Sequence, residues 1–425
     1  MTDDWGPHVV SAGAATVVVD VPPGTPMTGY AARLGPSSGV HDPLTVRALV
    51  IDDVGIVVVD CCALRKTTCA ELRAARPAGI VDVVIAATHT HSGPCLTPGG
   101  LGAFAADVLR AVEAAFIEAL TTARHRRTSV TVRYGERRLV GVGRNRRHDD
   151  VVIDPPVQVV AFDGDHGTVA TLVTYPMHPV VLSAANTLVS ADYVAPLRDM
   201  VEASLPGSVC LFLQGCAGDV NDDRHSPDDD FTATPSPGRD FAAAAVKGET
   251  VATAALDALS RATTVTPSRT RLATTSVALD ITPLDPTEVA SDRDEWARLA
   301  VTLPVEQSAL YESWTAWADT WLEHRPEPSQ WLGRVGLIGI GDLRIATLPG
   351  EPFLAVAERV REDLGEHTLV LGYCDGVSGY LPTADEYAHG GYEVCDAHRY
   401  YGMPGPYAPG SAERLADAVV SLGEK

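Results

Sequence analysis

No stretch of this sequence is apolar for long enough to cross a bilayer, and Met1 to His8 lack the basic segment and apolar core of a secretory leader. A soluble, cytoplasmic protein without membrane insertion is the expectation. Positive charge is scarce: 33 Lys and Arg stand against 55 Asp and Glu, for a formal net charge of -22. Such a chain repels phosphate backbones and anionic lipid, which argues against nucleic acid as a partner. The eight cysteines form no C-x-x-C pair and no regular framework, so most read as small buried hydrophobes. Internal repeats and low-complexity linkers are missing as well. With 425 residues, 45% of them hydrophobic, the chain can bury a sizeable core. The expected fold is α/β, a single large domain over 1–425 built of mixed β-sheets flanked by helices.

What the chain does have is a set of apolar runs that end in histidine or carboxylate. Residues 83–87, Val-Val-Ile-Ala-Ala, are short and bounded by polar residues, the pattern of a strand covered on both faces. They lead into Thr88-His89-Thr90-His91-Ser92, where strand alternation would point His89 and His91 to one side. The end of a strand is where α/β proteins place their chemistry. On spacing alone, this H-x-H fits a pair of satisfied histidines as well as it fits a metal site. The run 169–175 repeats the theme, closing in Met177-His178-Pro179. A third run, 343–348, enters Pro349-Gly350-Glu351, a carboxylate not placed for solvation alone.

Other features are less specific. Arg144-Asn145-Arg146-Arg147 is a basic island in an acidic chain and suits an anion or carbonyl group as well as solvent. Adjacent His41 and Asp42 rarely share a target and read as structural. Ser190 or Asp192 is placed to cap a helix over 194–205. The small-residue turn 215–221 either lets a backbone approach closely or only bends. Residues 222–240 read as an exposed loop bordering the substrate opening, and 286–325 as a helical insertion whose tryptophans belong to a core or interface.

Taken together, the motifs resemble those of the catalytic domain of the neutral, non-lysosomal ceramidases, zinc-dependent amidases, from about Ala14 to Glu393. The resemblance runs in order through Asp20-Val21-Pro22-Pro23, Pro26-Met27-Thr28-Gly29-Tyr30, Val40-His41-Asp42-Pro43, Ala87-Thr88-His89-Thr90-His91-Ser92-Gly93-Pro94 and Gly143-Arg144-Asn145-Arg146. It continues through Met177-His178-Pro179, Gln214-Gly215-Cys216-Ala217-Gly218-Asp219-Val220, Pro349-Gly350-Glu351 and Ser378-Gly379-Tyr380 with Tyr392. It implies a Zn2+ ion held by His89, His178, Glu351 and Tyr380. It places His91 and Tyr392 at the substrate carbonyl, Arg146 in the substrate pocket, and Asp219 behind a ligand histidine. Two departures stand out. The family turn continues Gly-Asp-Val-Ser-Pro-Asn, whereas Asn221 stands here at the serine position. The protein is also expected to lack the family's extra C-terminal domain.

The expectation is therefore a zinc-dependent hydrolase that cleaves an amide bond of a soluble small molecule by metal-activated water, with ceramide itself disfavoured. A metal-dependent lyase or isomerase acting on a small carbonyl compound is one alternative. A ligand-binding protein without turnover is the other. Self-association is left open.

Overall fold

Three mixed sheets, each containing one parallel pair of strands, form the framework of the computed structural model, which describes residues 8–223, 237–326 and 330–424. The first sheet orders its strands Asp82–Ala87, Val54–Val59, Leu44–Ile51, Ser11–Val19 and Thr128–Ser129. The second runs Val209–Gln214, Gly167–Tyr175, Pro156–Gly164, Thr131–Arg138 and Thr263–Thr264. The third runs Arg271–Asp280, Gln330–Ile340, Leu343–Thr347 and Thr368–Leu371.

Neighbouring strands are antiparallel except for one pair per sheet: Val54–Val59 with Asp82–Ala87, Gly167–Tyr175 with Val209–Gln214, and Leu343–Thr347 with Thr368–Leu371. A parallel pair needs a crossover, and here each crossover contains a helix: Lys66–Ala74, Val194–Ser204 and Leu354–Leu364 respectively. Isolated bridges Ala86 to Cys374 and Gly215 to Leu371 tie the three units together where their parallel strands end. The geometry thus gathers three carboxyl strand ends into one place, where open α/β sheets bind ligands.

Burial explains the sequence pattern. Leu49, Ile56 and Val84 of the first sheet, Val160, Leu172 and Leu211 of the second, and Ile338, Ile345 and Leu369 of the third share one apolar cluster. Helices Ala106–His125 and Phe241–Ser260 contribute to the core on the other side, the latter begun by Asp240, whose carboxylate accepts from Ala243 N. Strands apolar on both faces cannot alternate, which is why their runs are continuous. The mixed sheets flanked by helices agree with the sequence expectation, and seven of the eight cysteines are buried.

One local reading changes. Helix Val194–Ser204 starts without a side-chain cap. Instead, the Asp192 carboxylate accepts from Leu182 N at 2.9 Å and Tyr193 N at 2.6 Å, while Ser190 Oγ donates to Asp42 at 2.5 Å. Most of the 222–240 loop lies outside the described residues; at its described ends Asp223, Pro237 and Asp240 are exposed, whereas Asp222 is buried and pairs with Lys247 at 2.9 Å, and Arg239 is buried. The 286–325 segment forms two helices, Pro286–Thr302 and Val305–His324, the first capped by Asp285.

Candidate metal centre

The first histidine leaves its strand by an unusual path. Strand Asp82–Ala87 ends before the H-x-H, and His89 adopts φ 67°, a left-handed conformation that costs a non-glycine residue about 1–2 kcal/mol. Two backbone bonds hold it there, Thr88 N to Val59 O at 3.0 Å and His89 N to Cys61 O at 2.9 Å. This turn, rather than strand alternation, brings His89 and His91 together, with their Nε2 atoms 3.2 Å apart.

His178 follows strand Gly167–Tyr175, and Glu351 follows Leu343–Thr347, so each of the three sheets supplies one residue. Glu351 Oε2 lies 3.2 Å from His89 Nε2 and 3.0 Å from His178 Nε2. All three residues are fully or almost fully buried. Ligand atoms of His89, His178 and Glu351 lie within 4.8 Å of one another, as do those of Cys62, His89 and His91.

The tautomers decide what this cluster can hold. His89 Nδ1 donates to Cys62 O at 2.6 Å and His178 Nδ1 donates to Val220 O at 3.2 Å. With Nδ1 carrying the proton, each neutral imidazole turns an Nε2 lone pair toward the Glu351 carboxylate, which is itself an acceptor. Three converging acceptors need a cation among them, and backbone carbonyls fixing the far ring nitrogens are the usual support of metal-binding histidines. Without a metal, a proton fills the role. Burial opposes charge on His89, but Glu351 and Cys62 outweigh it and raise the imidazole to about 10. Burial likewise opposes ionisation of Glu351, yet the two histidines hold it well below the ordinary carboxylate range. His178, under burial and beside Arg146, falls to about 4.

Tyr380 is the register partner of Glu351 in a short parallel bridge, and its ring stacks on His178 with centroids 6.2 Å apart. His91 is held neutral: burial, with His89 and His178 nearby, depresses it well below 6.5, and its Nδ1 is buried without a hydrogen-bond partner. Arg146 lies over the Tyr380 and Tyr392 rings at 5.0 and 5.9 Å, with Nε 2.7 Å from Glu393. His91, Arg146, Tyr380 and Tyr392 line one cavity of about 160 Å³, together with Tyr400, Tyr401 and the loop Thr28 to Ala31.

Asp219 does not orient a histidine. Its oxygens accept from Leu354 N at 2.7 Å, at the start of a helix, and from Asn145 Nδ2 at 3.1 Å, and burial raises its carboxyl to about 6. Asn221, at the position of the family serine, is buried, and its Oδ1 lies 3.4 Å from Arg146 Nη1.

Several neighbours escaped sequence reasoning. Tyr401 donates its hydroxyl to Glu351 Oε1, and the Tyr373 hydroxyl lies 3.4 Å from Oε2. Arg33 donates to Thr28 O and, at 2.7 Å, to His91 O. The crowding of tyrosines after residue 372 was the visible signal for the first two. Carbonyls such as Cys62 O leave no signal in a sequence.

Two glycines are obligatory at this site. A Cβ on Gly218 would meet Glu351 O at 2.4 Å, which accounts for the small-residue turn. A Cβ on Gly29, at φ 102°, would meet His91 Cβ at 2.6 Å. If His91 serves a reaction in the cavity, Gly29→Ala is expected to displace it and lower kcat/KM by roughly 100-fold, the scale of a 1 Å misplacement. Steady-state kinetics checks this.

No protein-family model matches the chain. Over 236 residues it is 27% identical to neutral ceramidase of Pseudomonas aeruginosa, a match covering 46% of this chain and 34% of that protein. The match thus spans about a third of the relative's length. A solved ceramidase complexed with C2 superimposes with a TM-score of 0.72 at 17% identity, covering 98% of this chain and 75% of that one. The crystal structure of neutral ceramidase from Pseudomonas aeruginosa gives a TM-score of 0.72 at 21% identity and the same coverage.

Proposed function

We propose, from the premise that this chain is a homologue of neutral ceramidase and shares its fold, that it is a zinc-dependent hydrolase of a small, soluble amide. The observation that carries the reading is the convergence of two tautomer-fixed imidazoles and one carboxylate beneath a cavity lined by hydrogen-bond donors. Two nitrogens and a carboxylate oxygen suit zinc and leave a position for water, with Tyr380 available beside them.

When bound, zinc lowers the pKa of water toward neutrality and polarises a carbonyl. The protein's own residues supply the rest. Neutral His91 has a ring nitrogen to offer a developing oxyanion or a departing amine, because burial keeps it from charging. Tyr392 keeps its proton under burial and the nearby tyrosines, so it serves as a donor. Arg146, fixed by Glu393 and two aromatic rings, brings positive charge to the carbonyl side. Asn221 offers no nucleophilic hydroxyl, which favours attack by water over an acyl-serine intermediate.

The cavity argues for a compact substrate: about 160 Å³ is room for on the order of ten waters. N-acyl amino acids and amides of small amino alcohols are the class to screen, with ceramide as the comparison. The expected result is about one zinc per chain, amide cleavage identified by mass spectrometry of both products, and loss of turnover on chelation with recovery on adding Zn2+. Turnover undiminished by exhaustive chelation would refute the assignment. Fragmentation or isomerisation without hydrolysis would point to the lyase reading.

A further inference from the structure

The helices Pro286–Thr302 and Val305–His324 lie outside the three sheets, yet their tryptophans grip the segment that carries Tyr400 and Tyr401 into the cavity. The Arg399 guanidinium sits 4.7 Å from the Trp296 ring, 4.7 Å from Trp314 and 5.6 Å from Trp317. Its one ion pair among the described residues is local, Nη1 to Asp396 at 2.6 Å, and its side chain is only 11% exposed. On the far side of the two tyrosines, Trp317 Nε1 donates to Met403 O at 3.0 Å and Trp321 Nε1 donates to Pro404 O at 2.8 Å. The segment is thus held immediately before Tyr400 and immediately after Gly402. Between these anchors Tyr401 donates to Glu351 Oε1, while Tyr400 packs against Trp314 and Tyr392, with ring centroids 6.4 and 5.9 Å away.

We propose that this helical hairpin is a clamp on the candidate metal centre, and that Arg399 is a positioning residue acting through Tyr401. A buried cation stacked among three indoles has few alternative places to go, and each desolvated cation–π contact resists displacement. A tyrosine that bonds a ligand carboxylate sets the direction of that carboxylate, as outer-shell partners of metal ligands do. The hairpin therefore reaches the metal centre through a single side chain, although it contributes no ligand. The inference rests on His89, His178 and Glu351 being a metal site.

Two measurements on the full chain test it. The first compares metal-free crystal structures of the wild type and Arg399→Ala. The expected result is that Tyr401 Oη leaves Glu351 while the three sheets superimpose unchanged; a Tyr401 that stays bonded overturns the clamp. The second titrates Zn2+ against a chromophoric chelator. Arg399→Ala and Tyr401→Phe should each weaken Zn2+ binding about 10-fold, the lower end for loss of an outer-shell partner. If Arg399 acts through Tyr401, the double variant is no weaker than either single one; multiplied losses would mean that the two act independently and overturn the proposal. Arg399→Lys should recover part of the loss. Should Arg399→Ala fail to fold, Trp317→Phe, which removes only the donation to Met403 O and part of the cage, carries the same expectation in both measurements. A wild type that binds no Zn2+ refutes the metal reading, while the crystal comparison still decides the clamp.

Discussion

Glu351→Gln is expected to fold, to bind zinc more than about 100-fold more weakly than the wild type, and to lose turnover in proportion. Loss of an outer-shell partner already costs 10–100-fold, and Glu351 is the carboxylate shared by both imidazoles. Glutamine keeps the volume and one acceptor, so packing is preserved, but its neutral amide cannot balance the cation. Metal content after dialysis at a fixed free zinc concentration, read beside kcat, measures the effect. A variant retaining full zinc and full turnover would remove Glu351 from the site.

The second large effect concerns stability rather than chemistry. Asp60 closes strand Val54–Val59 and meets the Arg198 guanidinium with both oxygens, at 2.8 and 3.0 Å, both side chains being buried. Burial alone would raise the Asp60 carboxyl, but Arg198 and Thr45 outweigh it and hold it below 3.8. Asp60→Asn leaves Arg198 buried without its counter-charge and is expected to cost about 3–5 kcal/mol at pH 7. The pH dependence has a definite sign. A depressed folded value means that the stabilisation is fully present above pH 3.8 and is lost as pH falls through the lower folded value. The gap in melting temperature between wild type and Asp60→Asn should therefore be widest near neutrality and narrow below pH 4. A constant gap from pH 3 to 7 would contradict the assignment.

The strand ends were legible in the sequence because parallel strands buried on both faces leave continuous apolar runs, and a polar residue that ends such a run stands out. His178 and Glu351 were marked in this way. His89 was marked for a reason that did not hold, since its placement depends on a left-handed turn rather than on strand alternation. Asp219 was placed behind a ligand histidine only by the family resemblance. Its oxygens are instead taken by Leu354 N and Asn145, contacts between elements far apart in sequence. Tyr401 and the tryptophans around Arg399 were legible only as composition, because their roles come from packing between the hairpin and the last third of the chain.

The three crossover units have a consequence for assembly. Residues 89, 178 and 351 come from sheets that must each form and then dock before the lone pairs converge, so no fragment carrying one or two of the sheets can complete the coordination set. Zinc would therefore recognise only the finished molecule. At a free concentration 100 times its dissociation constant, an ion that binds the native state alone adds about 2.7 kcal/mol to that state and nothing to partly folded ones. In such a protein, metal uptake is the last event of folding and reports that folding is complete.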